Sequence, residues 1–273
     1  MPELPEVETV VRSIGPLVQG KILKDINAYP GHGRVFEHFP EKDFKKRIIG
    51  QTVRGAGRRG KYILLFLDNG VIGIHLRMTG VLKTALTGND KTEHLAVKID
   101  FQDGSCLFFK DYRKFGRFYF FNTAADLDEF LGPEPLTPSF TLDYLTKGLK
   151  TRQRMIKPLL WDQGFLAGLG NIYVDEALWI SKIHPESNSS RIQKGNVIEL
   201  HQAIIDVLTR ALSFSGTTFM SFSFEGENKG AFKDYLNVFG RTGSGCSRCG
   251  ELIKKIKVGQ RGTHICPVCQ KKR

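Results

Sequence analysis

The chain has 273 residues, 41% of them hydrophobic and 25% charged, with a formal net charge of +12. This is enough apolar material for two ordinary cores. No run approaches the about 18 apolar residues of a membrane span, and the start is acidic where a secretory signal is basic, so a cytoplasmic protein with no membrane association is expected.

The first residues read Met1-Pro2-Glu3-Leu4-Pro5-Glu6. A small residue after the initiator permits removal of Met1, which would leave Pro2 as a free secondary amine. Val7, Val10, Val11 and Ile14 then fall on one helical stripe, with Pro5 in the first turn and Gly15-Pro16 as the expected stop. Carboxylates at the start of that helix suit its positive end. Apolar runs follow, separated by turn dipeptides. Tyr62 to Leu67 and Val71 to Leu76 flank Asp68-Asn69-Gly70, and Val97 to Phe101 and Cys106 to Phe109 flank Asp103-Gly104. Asn-Gly and Asp-Gly at such places signal hairpins, so this half reads as a β-sandwich or barrel with one leading helix.

Leu131 to Pro138 holds three prolines and reads as a linker. Beyond it the period is helical: Ile156 to Trp161, Ile172 to Ile183, and a long face through Leu200, Ile204, Val207, Leu208, Ala211 and Leu212. Gly168-Leu169-Gly170-Asn171 precedes the second of these helices. Such a glycine-rich helix start admits an anion, although a tight turn with Asn171 as N-cap is the commoner reading. In the last 33 residues nine Lys/Arg stand against the single acid Glu251, the balance of a phosphate-binding tail or of a merely solvated end.

That tail also carries Cys246-Ser247-Arg248-Cys249 and Cys266-Pro267-Val268-Cys269, two CxxC pairs with room between them for two short strands. The spacing predicts one structural Zn²⁺ held by Cys246, Cys249, Cys266 and Cys269, with no coordination position left for substrate. Disulfides are the alternative, disfavoured by a reducing compartment and by a tail too small to fold unaided. Cys106 reads as an ordinary strand residue.

Taken together, Met1 to Thr9, Arg58-Arg59-Gly60-Lys61-Tyr62, His75-Leu76-Arg77-Met78, Arg113-Lys114-Phe115-Gly116, Leu169 to Glu176 and Gln260 to His264 resemble the formamidopyrimidine-DNA glycosylase family along the whole chain. The opening heptad favours this branch over the related endonuclease VIII branch, which prefers oxidised pyrimidines. The resemblance implies an α+β multidomain protein: an N-terminal β-sandwich catalytic domain (1–131), a helix-two-turns-helix DNA-binding domain with a lesion-covering loop (132–240), and a zinc-finger β-hairpin (241–273).

The implied activity is that of a monomeric bifunctional glycosylase/lyase that removes oxidised purines from damaged double-stranded DNA. By resemblance Pro2 is the nucleophile, Glu3 the acid at the sugar ring oxygen and Glu6 its positioning partner. Lys61 serves β-elimination and Arg261 serves δ-elimination and phosphate binding. Met78, Arg113 and Phe115 fill the space left by the extruded base, a role that overrides the core reading natural for Met78 and Phe115. Lys157 and Asn171 hold phosphates, Arg152 adds a further DNA contact, and the segment from Thr217 to Tyr235 covers the lesion. The sequence departs from the family pattern at Thr92, where a histidine is usual, and at Phe239, where a tyrosine is usual. Two other classes compete with this reading. One is a catalytically silent zinc-finger DNA-binding protein, opposed by an intact Pro2, Glu3 and Lys61; the other is a small-molecule enzyme with an N-terminal proline base, opposed by the basic zinc tail.

Overall fold

A computed structural model describes residues 1–86, 94–217 and 230–272. They form two compact units, the first made of residues 1–129 with 215–217 and 230, the second of 130–214 with 231–272.

The first unit begins with helix α1 (Leu4–Val18), whose Val7, Val10, Val11 and Ile14 are all buried. The helix runs past the expected stop. Pro16 lies in its last turn, where a missing N–H costs one intrahelical bond, and the end is closed by Gln19 N–H donating to Gly15 O at 3.0 Å. Two antiparallel four-stranded sheets follow. One contains β1 (Leu23–Ala28), β6 (Leu95–Phe101), β7 (Cys106–Asp111) and β5 (Gly80–Lys83) in that order; the other contains β2 (Val53–Arg59), β3 (Tyr62–Leu67), β4 (Val71–His75) and β8 (Arg117–Phe121). Helix α2 (Glu41–Ile48) packs on β1 through buried Phe44 and Ile48. The Asn69-Gly70 and Asp103-Gly104 turns stand where the sequence places them, with both glycines at positive φ.

Side chains of α1 and of both sheets join one buried cluster, so the sandwich is closed by a shared core. At its centre the Phe118 ring lies edge-on to Phe109 at 5.2 Å and to Phe36 at 6.0 Å. Strands β1, β2, β5 and β8 have weak alternation or none in the sequence and are fixed by pairing with their stronger neighbours, while α2 is fixed by its packing on β1.

The second unit holds α3 (Leu142–Thr151), α4 (Ile156–Trp161), α5 (Asn171–Ile180) and α6 (Lys194–Ser213), followed by the hairpin β9 (Lys254–Val258) and β10 (Arg261–Ile265). Helix α5 is buried on nearly every side: it packs on α4, on α6 and against β10. Helix α3, which the sequence expectations leave out, is capped by the Thr141 hydroxyl accepting from Tyr144 N–H at 3.0 Å. Among the described residues no helix is long and apolar enough to cross a membrane.

Phe118→Ala leaves a large void in a fully buried layer and is expected to destabilise the protein by about 3–5 kcal/mol, read as a lower denaturant midpoint with an unchanged slope.

Candidate functional site

The start of α1 is built to hold Pro2 and Glu3 in place. Pro2 is buried and Glu3 is 2% exposed. Glu3 is the N-cap, and it forms a reciprocal capping box with Glu6: the Glu3 carboxylate accepts from Glu6 N–H while Glu3 N–H donates to Glu6 Oε2 at 2.9 Å. The other Glu6 oxygen accepts from Thr217 N–H at 2.7 Å and from the Thr217 hydroxyl at 3.0 Å. A Cβ on Gly216 would sit 2.6 Å from that oxygen, and Gly216 has φ +80°, so only glycine permits the approach.

Helix α1 packs on β2 and β3, the two strands that flank Gly60-Lys61. The contact is reinforced by Glu8 Oε2, 3.0 Å from Arg58 Nε, while Arg58 Nη1 donates to Gly60 O at 3.0 Å. Lys61 is 3% exposed, in keeping with a lysine set into a site more than with a solvated charge.

Opposite Tyr62 in the strand register stands His75, its ring edge-on to the phenol at 4.8 Å. Burial, then the charges of Arg77 and Lys61, push the imidazole down to about 3, so it is neutral at physiological pH. Its Nδ1 accepts from Arg77 N–H at 3.0 Å, which places the ring proton on Nε2. The sequence reading gave His75 no role of its own. Its place beside Lys61 depends on a cross-strand pairing that spacing alone does not reveal.

Met78, Arg113 and Phe115 come together. Arg113 Nη1 lies 2.8 Å from Met78 Sδ, and the guanidinium stands 4.9 Å over the Phe115 ring. Met78 is 36% and Phe115 46% exposed, which sets aside a core role for either. Buried Asp111 shapes their loop by accepting from Gly116 N–H at 2.6 Å, from Arg113 N–H at 3.2 Å and from the Thr79 hydroxyl. Gly116 is obligatory here, because a Cβ would lie 2.3 Å from the Phe109 ring.

In the second unit Asn171 is the first residue of α5 and Gly170 is the cap, so the Asn171 side chain is not spent on capping. Its Nδ2 donates to Gly262 O at 3.1 Å, on the hairpin. Lys157, expected at a phosphate, has its ammonium buried: it donates to Asp175 Oδ1 at 2.6 Å, to Thr263 Oγ1 at 2.7 Å and to Gly262 O at 3.3 Å. Asp175 Oδ2 in turn accepts from His264 N–H at 2.8 Å. Neighbouring Glu176, fully buried, accepts the N–H groups of Asn237, Val238 and Phe239 at 2.8–2.9 Å and so gathers the approach to the zinc segment. Phe239 turns its ring edge-on to His264 at 4.8 Å. Arg261 is exposed at the start of β10, and Arg152, also exposed, ends α3 with its guanidinium 4.9 Å over Phe165. Thr92 and residues 218–229 of the expected covering segment lie outside the described residues.

The four tail cysteines bring their sulfurs within 4.8 Å of one another, with Cys246 and Cys269 at 4.0 Å and Cys249 and Cys266 at 3.4 Å. Zn–S bonds of about 2.3 Å place tetrahedral sulfurs about 3.8 Å apart, so the set fits the metal. Without it the sulfurs compete for charge: burial and the other sulfurs push the Cys269 thiol up to about 12, whereas Cys246, despite burial, is held down to about 6 by the N–H groups of Arg248 and Cys249. The tail therefore holds one structural Zn²⁺, and β9 and β10 are the strands that bring its two turns together.

Elemental analysis is expected to return one Zn²⁺ per chain and Cys266→Ala a small fraction of that; a metal-free wild-type protein with an intact fold would contradict the assignment. For His75 the native group binds fewer protons than the unfolded one between pH about 3 and 6.5, so stability falls on acidification through that window. The slope for one such group is at most about 1.4 kcal/mol per pH unit, and denaturant titrations from pH 7 to 4 should show it flattened in His75→Gln.

Three family models match the chain in order: the formamidopyrimidine-DNA glycosylase N-terminal domain over residues 1–118, the formamidopyrimidine-DNA glycosylase H2TH domain over 131–223, and a zinc finger found in FPG and IleRS over 243–272. A formamidopyrimidine-DNA glycosylase of Lactiplantibacillus plantarum is 42% identical over 277 residues, which cover 99% of this chain and all of the relative. Among solved structures, the complex between a Lactococcus lactis FPG mutant, G226P, and a Fapy-dG-containing DNA superposes with a TM-score of 0.91 at 38% identity. A MutM complex with carbocyclic 8-oxo-G-containing DNA gives 0.89 at 36% identity, and each comparison covers 99% of this chain and all of the other. Matching models in sequence order and identity along the full length make the conclusion plain: the chain belongs to the formamidopyrimidine-DNA glycosylase family.

Proposed function

We propose that this chain is a DNA glycosylase and abasic-site lyase of base excision repair, acting as a monomer in the cytoplasm on duplex DNA that carries oxidised purines such as 8-oxoguanine and formamidopyrimidines. The observation that carries the reading is the buried start of α1, where Pro2 and Glu3 are fixed by the Glu3–Glu6 capping box and by Thr217.

Once Met1 is removed, Pro2 presents a secondary amine. An α-amino group titrates near pH 8, about two units below a lysine, so far more of it is unprotonated at pH 7. The amine nitrogen bonds to C1′ as the bond from C1′ to the damaged base breaks, and the amine gives up its proton while the departing base takes one up. Glu3, in its acid form, protonates the ring oxygen as the sugar opens, leaving an iminium between Pro2 and C1′. That iminium acidifies the C2′ protons. Loss of one expels the 3′ phosphate, and a second elimination across C4′ and C5′ expels the 5′ phosphate. Lys61 serves the first elimination and the phosphate beside it, Arg261 the second.

The neutral ring of His75 offers an Nε2–H donor beside Lys61 without adding a second charge. The tip that carries Met78, Arg113 and Phe115 supplies a flexible wedge, a planar donor for the orphaned base and an aromatic insert, as base extrusion requires. Asn171 and Arg152 contribute further polar contacts to the DNA. Lys157 contributes indirectly: its buried ammonium fixes the hairpin that presents Arg261.

Borohydride trapping tests the assignment. Incubation with an 8-oxoguanine duplex should give a covalent adduct on the N-terminal peptide, because reduction turns the iminium into a stable amine. Glu3→Gln, which retains the capping geometry, should slow base release by about 10²–10⁴-fold while duplex binding persists. Lys61→Ala should impair cleavage at a preformed abasic site. An adduct mapped to Lys61, or full activity from a chain extended by one residue at its amine, would overturn the role of Pro2.

A further inference from the structure

The short helix α4 grips the zinc hairpin at three places. Lys157 Nζ reaches Gly262 O and Thr263 Oγ1 on β10. Pro158 packs under the turn, so closely that a Cβ on Gly259 would lie 2.8 Å from Pro158 Cγ. One turn further along the helix, the indole of Trp161 lies 4.4 Å beneath the guanidinium of Arg261. The hairpin turn itself, Gly259-Gln260, has both residues at positive φ, +53° and +68°, which sets the strand that follows and therefore the root of the Arg261 side chain.

We propose that Trp161 is a positioning residue for Arg261, holding its guanidinium flat on the indole face so that the in-plane N–H edges are directed to a DNA phosphate. The proposal rests on the phosphate-binding role of Arg261. Arginine suits it because stacking uses the face of the guanidinium and phosphate binding uses its edge, so one side chain does both at once. An exposed arginine otherwise samples many rotamers, and the ordering must be supplied when it binds. A ring under the cation provides that order in advance, and surface cation–π contacts are worth about two- to five-fold in an equilibrium constant. The helix that carries Trp161 is itself locked to the hairpin by Lys157, so the platform and the charge it holds share one rigid support.

A double-mutant cycle separates this from a packing role. Affinity for an abasic-site duplex and the ratio of doubly to singly cleaved product are measured for Trp161→Ala, Arg261→Ala and the double variant, with zinc content recorded for each. Trp161→Ala should weaken binding by about two- to five-fold and lower the doubly cleaved fraction. Trp161→Phe, which keeps a ring, should recover part of both. In the Arg261→Ala background the tryptophan substitution should do nothing further. An equal loss in that background, or no loss in Trp161→Ala while Arg261→Ala is impaired, would overturn the proposal. If Arg261→Ala itself leaves affinity and product ratio unchanged, the phosphate role of Arg261 falls and the platform with it, whereas trapping at Pro2 is unaffected. Should Trp161→Ala lose its zinc, the cycle is run with Trp161→Phe, whose smaller deficit must likewise vanish when Arg261 is gone.

Discussion

A single buried carboxylate, Glu6, decides where the N-terminus lies. One oxygen closes the capping box with Glu3, the other takes both donors of Thr217. Buried carboxylates are costly unless fully bonded, and these contacts leave the helix start little freedom to fray. Everything proposed for the amine of Pro2 depends on that restraint, because a nucleophile on a wandering terminus would not meet one carbon of one sugar. The pairing of Glu8 with Arg58 extends the restraint to the turn that holds Lys61.

The second unit solves a similar problem with adjacent acids on α5. Asp175 faces the hairpin and takes Lys157 and His264; Glu176 faces the segment before it and takes three consecutive N–H groups. A 33-residue tail with so little apolar surface is thereby ordered from two sides, by metal at its cysteines and by hydrogen bonds at its strands. Trp179 and Val238 join Cys246, Ile253 and Cys266 in a small buried cluster that continues the same seam.

Much of this was legible in the sequence where the signal is local. Turn dipeptides marked the hairpins around Gly70 and Gly104, apolar spacing marked α1, α4, α5 and α6, and paired cysteines marked the metal. Signals failed where position depends on a partner distant in the chain. Asn171 read as a cap, yet Gly170 takes that place and frees the amide to reach Gly262. Lys157 reads by resemblance as a phosphate contact, and nothing in its neighbourhood announces the Asp175 and Thr263 that take its ammonium. His75 was passed over since its neutrality comes from burial in a sheet and from the charges of Arg77 and Lys61. Conversely, Met78 and Phe115 look like core residues by composition, and only the family pattern marked them as the exposed side chains they are.

The tie between Glu6 and Thr217 spans 211 residues of chain. At about 5–20 residues per second, a ribosome makes Thr217 roughly 10–40 s after Glu6. Throughout that interval the start of α1 has its capping box but not its last tether. The amine end of the nascent chain therefore stays open to the peptidases that trim initiator methionine, and it is fastened only when most of the protein has been translated. The removal of Met1 that the proposed role of Pro2 requires would thus precede the last tether.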